Sequence, residues 1–228
     1  MTAPDLKESL LDAALIHVAF DGWSPETFEA AVADAGVELA VARAVCPRGA
    51  VDLAIAYHQR GDRLMVERYK ASDLSALRYS EKIAALVRFR IEAADDKEVV
   101  RRGSTLFALP QYAPDGARLI WNTCDLIWNT LGDTSDDVNW YTKRATLSGV
   151  YGSTVLFWLG DDSLDEQDTW TFLDRRIDDV MRFEKFKAGV RSNKALSTLL
   201  AGPLAMLSRV KAPASVRTDM PGHVHDKN

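Results

Sequence analysis

The chain has little of what stabilises small secreted domains or builds metal and redox centres. Its 228 residues include only two cysteines, Cys46 and Cys124, which lie far apart in apolar stretches without zinc or redox spacing. This placement predicts buried free thiols in a reducing compartment. Because 47% of the residues are hydrophobic and 27% are charged, collagen-like, low-complexity and disordered classes are excluded as well.

Long hydrophobic runs are also missing. The richest stretch, residues 150–159, is interrupted by Gly152, Ser153 and Thr154 and falls short of the roughly 18 consecutive apolar residues of a spanning helix. The first residues carry charges without an unbroken apolar segment, and they lack the Arg-rich, acid-poor composition of a transit peptide. We therefore expect a cytoplasmic protein that does not cross a membrane.

Catalytic signatures are equally scarce. The four histidines, at positions 17, 58, 223 and 225, show no E-x-x-H or H-E-x-x-H spacing, and no glycine-rich phosphate motif occurs. Carboxylates cluster in what resembles a solvated helix start, at Asp161, Asp162, Asp165 and Glu166. The sequence therefore predicts no catalytic residue, no metal site and no cofactor.

What the sequence does contain is helical periodicity over most of its length. Apolar residues recur at three-four spacing and sustained period-two alternation is absent, which predicts an all-α protein of about ten helices. Ser24 and Pro25 mark one helix start, and Ser163 with Glu166 suggests a capping box at another. Helices are predicted at about 5–21, 25–35, 38–45, 49–69, 74–93, 97–109, 118–131, 138–159, after 163, and 193–210.

Three short helices followed by longer ones are typical of TetR-type regulators, which join a helix-turn-helix head to a ligand-binding body. We expect a degenerate head at 1–48, a helical ligand-binding and dimerisation body at 49–190, an amphipathic helix at 191–211 and a flexible tail at 212–228. Residues 1–63 hold 5 Lys/Arg against 10 Asp/Glu, and the candidate recognition helix offers only Arg43 beside Glu38. This acidity disfavours DNA binding, although a TetR-type ligand-responsive transcriptional regulator is the alternative function.

Aromatic residues are concentrated in the second half of the chain, where five of the six tryptophans lie between positions 121 and 170. On the helix at 118–131, Asp125 stands between Trp121 and Trp128 on one face. Most of these aromatics fit a core or a dimer interface. Asp137, Trp140, Tyr141 and Arg144 follow a loop within two helical turns, which favours an exposed recognition patch because Asp and Arg are rarely buried unpaired.

The last predicted helix is amphipathic and follows a basic stretch. Residues 182–217 carry 8 Lys/Arg against a single acidic residue. Two interpretations stay open: the helix docks on the body, or it lies on an anionic bilayer with its leucines in the acyl boundary. The residues predicted to contact the membrane are Leu196, Leu199, Leu200, Leu204, Leu207 and Lys194.

The segment GDTSDDVNWYTKRATLSGVYGSTVLFWLGD, residues 132–161, resembles the coenzyme-Q-nine family of ubiquinone-biosynthesis proteins. The resemblance extends to the preceding D-L-I-W, from Asp125, and to the following D-T-W-x-F-L-D-R-R-I, from Asp168. It implies a TetR-like fold that does not bind DNA. It also implies a peripheral-membrane homodimer, without enzymatic activity, that binds isoprenoid quinone precursors and phospholipid and presents the quinone precursor to the di-iron demethoxyubiquinone hydroxylase.

The resemblance also assigns residues. It places a partner patch on Asp125, Ile127, Asp137, Trp140, Tyr141 and Arg144. It makes Arg144 the lipid-headgroup arginine, and we add the neighbouring aromatics to a lipid-binding set of Arg144, Tyr141, Trp140, Trp128 and Trp121. Because no mitochondrial presequence is evident, we expect a bacterial protein at the cytoplasmic face of the inner membrane.

Overall fold

A computed structural model describes residues 2–94 and 96–192 of the chain. Within these ranges the protein forms nine α-helices and one 3₁₀ helix, without a β-strand, so the all-α prediction is confirmed. The predicted helix at 193–210 and the tail lie outside the described residues. The α-helices are α1 (Ala3–Asp21), α2 (Pro25–Asp34), α3 (Leu39–Val45), α4 (Ala50–Ala71), α5 (Tyr79–Glu92), α6 (Lys97–Ala108), α7 (Ala113–Thr130), α8 (Val138–Leu159) and α9 (Gln167–Ser192).

Several helix starts follow directly from the local sequence. Ser24 caps α2 by accepting a hydrogen bond from the backbone N–H of Thr27 at 3.1 Å, with Pro25 in the first turn, as predicted. Asp137 caps α8 by accepting from the backbone N–H of Asn139 at 2.8 Å. The motif that carries the family resemblance therefore includes a helix-start signal.

Three predicted starts are wrong. Helix α5 begins at Tyr79 rather than at residue 74, and α7 begins at Ala113 rather than at 118. Pro114 lies in the first turn of α7, where its missing N–H costs nothing, so it begins the helix rather than breaking it. The expected capping box at Ser163 is replaced by the 3₁₀ helix Leu164–Glu166, in which Asp165 and Glu166 adopt positive φ.

The core has two parts. The first joins α1, α2 and α3 to the beginning of α4, with Leu10, Phe28 and Leu53 at its centre. The second joins α5, α7, α8 and α9 around Leu86, Ile127 and Leu173. Both cysteines are buried and free, as predicted, and burial raises the pKa of the Cys124 thiol to about 12.

Among the described helices, none combines the length and the apolarity that crossing a bilayer demands. The amphipathic segment predicted to contact a membrane falls beyond them.

Candidate functional site

A cavity in the described part of the chain lies between α4, α6, α7 and α8. Its volume is about 460 Å³, within the range of small-molecule binding sites. The wall is formed mainly by apolar side chains, among them Val99, Phe107, Ile120, Val155 and Leu156. Trp23, from the corner between α1 and α2, completes the wall, so the N-terminal part of the chain also contributes to this cavity.

A polar network borders the cavity on the side of α4 and α5. Arg90 donates from Nε to Asp62 Oδ1 at 2.6 Å and from Nη2 to the carbonyl oxygen of His58 at 2.9 Å. Thr123 Oγ1 lies 2.9 Å from Asp62 Oδ1 and 2.8 Å from His58 Nε2. If the Thr123 hydroxyl donates to Asp62, it accepts from His58, so each of these four side chains has a partner.

Burial sets the protonation of this network. Desolvation, together with the charge of Arg90, holds the pKa of His58 well below its usual value, so the imidazole is neutral at pH 7. Burial raises the pKa of the Asp62 carboxyl, while Arg90 and Thr123 oppose the rise. The cavity therefore has an apolar wall and one fully paired polar side, an arrangement suited to an apolar ligand.

A second feature is a surface cluster of aromatic rings where α7 meets the start of α8. The ring of Trp140 lies 5.9 Å from Trp121 and 4.8 Å from Tyr141 between centroids. All three side chains are partly exposed, and Asp137 is exposed beside them. We call Trp121, Asp137, Trp140 and Tyr141 the aromatic patch.

Arg144 does not belong to the exposed face of this patch, and the prediction that it is exposed is wrong. Its side chain is completely buried. Nε donates to Asp125 Oδ1, Nη1 donates to Asp133 Oδ2 at 3.2 Å and to the carbonyl oxygen of Trp140 at 3.1 Å, and Nη2 donates to Asn129 at 3.3 Å. The expectation assumed that an arginine would be unpaired, whereas here carboxylates from two segments surround it.

The other predicted site residues separate into three places. Ile127 is fully buried in the core and is therefore not a surface residue, contrary to the partner-patch prediction. Asp125 is partly exposed and paired to Arg144. Trp128 packs 6.0 Å from Tyr79 between ring centroids and lines a smaller cavity of about 240 Å³ with Lys143.

No sequence pattern used above indicates the cavity residues. Trp23 is the one tryptophan outside the 121–170 cluster, and His58 belongs to no catalytic or metal-binding spacing. The spacing of His58 and Asp62, one turn apart on α4, is a signal that could have been used. Their convergence with Arg90 and Thr123 depends on three different helices and has no sequence pattern.

No group of three or more metal-ligating side chains is present among the described residues. The predicted membrane residues Leu196, Leu199, Leu200, Leu204, Leu207 and Lys194 lie outside them.

The fold and the cavity define a class: an all-helical protein in which α1, α2 and α3 precede longer helices that line an apolar cavity. A solved structure agrees, since the crystal structure of the TetR transcriptional regulator from Nitrosomonas europaea superposes with a TM-score of 0.63. That match has 20% sequence identity and covers 76% of this chain and 96% of the other. The predicted TetR-like fold is confirmed.

Sequence comparison finds similarity to the COQ9 proteins. The COQ9 family model matches residues 113–184, which include α7, α8 and most of α9. The ubiquinone biosynthesis protein COQ9 of Rattus norvegicus is 39% identical over 110 residues, which is 48% of this chain and 35% of that protein. The human protein is 29% identical over 214 residues, or 90% of this chain and 67% of that protein, and the Dictyostelium discoideum protein is 29% identical over 202 residues, or 85% and 65%.

The chain thus spans about a third of the rat relative and about two thirds of the other two. The predicted resemblance to the COQ9 family is confirmed, and the chain is a relative of the COQ9 proteins with a TetR-like fold.

Proposed function

We propose that this protein is a non-enzymatic lipid-binding accessory protein of ubiquinone biosynthesis. It binds an isoprenoid quinone precursor from the membrane in the cavity between α4, α6, α7 and α8. It then presents that precursor to the di-iron demethoxyubiquinone hydroxylase. The observation that carries the proposal is the apolar cavity of about 460 Å³ in a relative of proteins named ubiquinone biosynthesis protein COQ9.

The cavity wall supports an apolar cargo. Removing a prenyl tail from water contributes about 0.8 kcal/mol for each buried methylene, provided that the surrounding wall is apolar and excludes water. Val99, Phe107, Ile120 and Val155 supply such a wall. The cavity volume suits a quinone ring with the first part of its tail, so a long tail would continue outside it.

The aromatic patch is the proposed contact for the hydroxylase. Large, partly exposed aromatic rings are enriched where proteins bind each other, and Trp121, Trp140 and Tyr141 form a contiguous group of them. Asp125 and Asp137 supply carboxylates at its edge. Arg144 is buried and contacts Trp140, so it supports the patch and does not contact the partner.

Membrane contact and assembly complete the proposal. The segment around Leu199 and Leu204 would lie on anionic phospholipid at the cytoplasmic face of a bacterial inner membrane, with Lys194 near the headgroups. The protein would act there as a peripheral homodimer without a cofactor.

Two glycines of α8 offer a matched test of the cavity. A Cβ at either Gly149 or Gly152 would meet no atom within 4 Å, but only Gly152 lines the cavity, whereas Gly149 is exposed. We expect native mass spectrometry with organic extraction to find quinone or isoprenoid lipid bound to the wild type and to Gly149→Leu, and much less bound to Gly152→Leu. Equal lipid in both variants would contradict the cavity assignment, and a lipid-free protein that binds duplex DNA would favour the regulator instead.

A further inference from the structure

The cavity contains a hydrogen-bond donor that no acceptor in the described part of the chain satisfies. Trp23 is 6% exposed, and its indole Nε1 is buried without a hydrogen-bond partner among the described residues. A buried N–H of this kind costs free energy unless an acceptor reaches it. Because Trp23 lines the cavity, a ligand in the cavity can bring that acceptor.

The position of Trp23 is fixed by its surroundings. Gly22 precedes it with a φ of +69°, a left-handed conformation that favours glycine, and turns the chain between α1 and α2. The Trp23 ring packs against Tyr57 at 6.0 Å between centroids. The indole is therefore held in the cavity wall by the head and by α4.

Gly103 of α6 leaves the approach to the indole nitrogen open. Its own position lies in the cavity wall, and a Cβ there would be only 3.6 Å from Trp23 Nε1. Because residue 103 is glycine, the space next to the N–H stays open, whereas a larger side chain would fill that space.

The hydrogen-bonded network around Arg90, which also borders the cavity, differs from Trp23. Arg90 and Asp62 are paired at 2.6 Å, and His58 and Thr123 contact each other at 2.8 Å. These groups already form hydrogen bonds with one another, whereas the Trp23 N–H has no acceptor among the described residues. The complementary ligand group is therefore an oxygen that accepts a hydrogen bond.

We propose that Trp23 determines ligand specificity by donating a hydrogen bond from Nε1 to a carbonyl or aryl ether oxygen of an otherwise apolar ligand. The inference rests on the proposed function, because it assumes that the cavity binds an apolar molecule. It adds that the cavity discriminates an oxygen-bearing ring of the quinone type from a hydrocarbon of similar size.

Two probes separate this role from simple wall packing. One is a dimethoxy-methyl-benzoquinone with a decyl tail, and the other is decylbenzene, which has the tail but no oxygen. Trp23→Phe removes the N–H and keeps an aromatic ring, and we expect it to weaken quinone binding about tenfold while changing decylbenzene binding less than twofold. The control is Trp158→Phe, because Trp158 is buried outside the cavity wall. This variant should change neither affinity.

A second measurement uses the wild type and therefore does not depend on the folding of Trp23→Phe. The indole N–H of Trp23 should shift downfield in the ¹H–¹⁵N spectrum when the quinone is added and should not do so with decylbenzene. Equal loss of both probes in Trp23→Phe, no loss of either, or an unchanged indole signal would overturn the role of Trp23 and leave the proposed function standing. A wild type that binds neither probe would overturn both.

Discussion

The guanidinium of Arg144 lies 4.0 Å from the ring centroid of Trp140 and donates a hydrogen bond to the Trp140 carbonyl oxygen. Asp133, whose side chain is only 4% exposed, contacts the same guanidinium from the loop before α8. Burial alone would raise the pKa of Asp133, but hydrogen bonds from Lys143 and Ser135 outweigh it, and the pKa lies below its usual value. A buried charge network thus supports the partly exposed ring of Trp140.

We expect Arg144→Met to destabilise the protein by about 3–5 kcal/mol, because it leaves the buried Asp133 without one of its two cationic partners. The free energy of unfolding in urea measures the effect. Arg176→Met is the matched control, since Arg176 is 43% exposed and paired to Asp179 on the surface, and it should cost less than about 1 kcal/mol. An Arg144 variant as stable as the wild type would show that the arginine is exposed in solution.

The buried imidazole of His58 predicts a pH dependence of stability. Its pKa in the folded protein is held well below the unfolded value of about 6.5 by burial and by Arg90, so only the unfolded chain gains a proton just below that pH. Stability is therefore fully present above about pH 6.5 and falls as the pH decreases, by at most about 1.4 kcal/mol per pH unit from this group.

His58→Gln isolates that contribution, because glutamine can still donate to Thr123 but does not titrate. We expect the difference in unfolding free energy between the wild type and His58→Gln to change between pH 7 and pH 5. Other groups near His58, including Asp62 and Arg90, are the same in both proteins. Parallel stability curves would contradict a buried neutral His58.

Gly61 of α4 leaves space for the buried guanidinium of Arg90. A Cβ at this position would lie 2.5 Å from Arg90 Nη1, which is closer than real contacts allow. We expect Gly61→Ala to lower the free energy of unfolding by about 1–3 kcal/mol through overpacking. Gly149→Ala, at an exposed helical position with open space, should instead raise it by about 0.5–1 kcal/mol. Thermal and urea unfolding compare the two variants, and the same sign for both would contradict the packing argument.

Trp140→Ser tests the aromatic patch as a contact for the hydroxylase. Because the ring is partly exposed, we expect the melting temperature to change little while binding to the purified hydroxylase weakens at least tenfold, about 1.4 kcal/mol. Phe157→Ser on the same helix is the control, since Phe157 is 37% exposed and 17 residues, or about 25 Å, further along. Biolayer interferometry gives the affinities, and equal losses in both variants would contradict a specific patch.

Deletion of residues 191–228 tests membrane contact. We expect the wild type to sediment with liposomes that contain anionic phospholipid and the shortened chain to remain in the supernatant, because the leucines and basic residues of the predicted membrane helix are removed. High salt should weaken the wild-type interaction if lysine and arginine contribute. Unchanged sedimentation of the shortened chain would contradict the interfacial-helix prediction.

Much of the helical layout was predictable because its signals are local. Ser24 with Pro25, and the apolar periodicity that ends α8 at Leu159, predicted those boundaries from neighbouring residues. Pro114 was misleading, since proline favours both a helix start and a helix break, and the sequence alone does not distinguish them. The motif at 132–161 likewise indicated the similarity to the COQ9 proteins from neighbouring residues alone.

The sequence by itself determined the all-helical class, the acidity of residues 1–63, the similarity to the COQ9 proteins and the position of the aromatic residues along the chain. Only the tertiary structure decided that Arg144 is buried, that Trp128 and Trp140 occupy separate places, and that Trp23, His58 and Arg90 meet at one cavity. The physical reason is the separation in sequence between the residues on which each feature depends. Helix formation depends on residues within a turn of each other, whereas burial, pairing of charge and cavities depend on side chains from helices far apart in sequence.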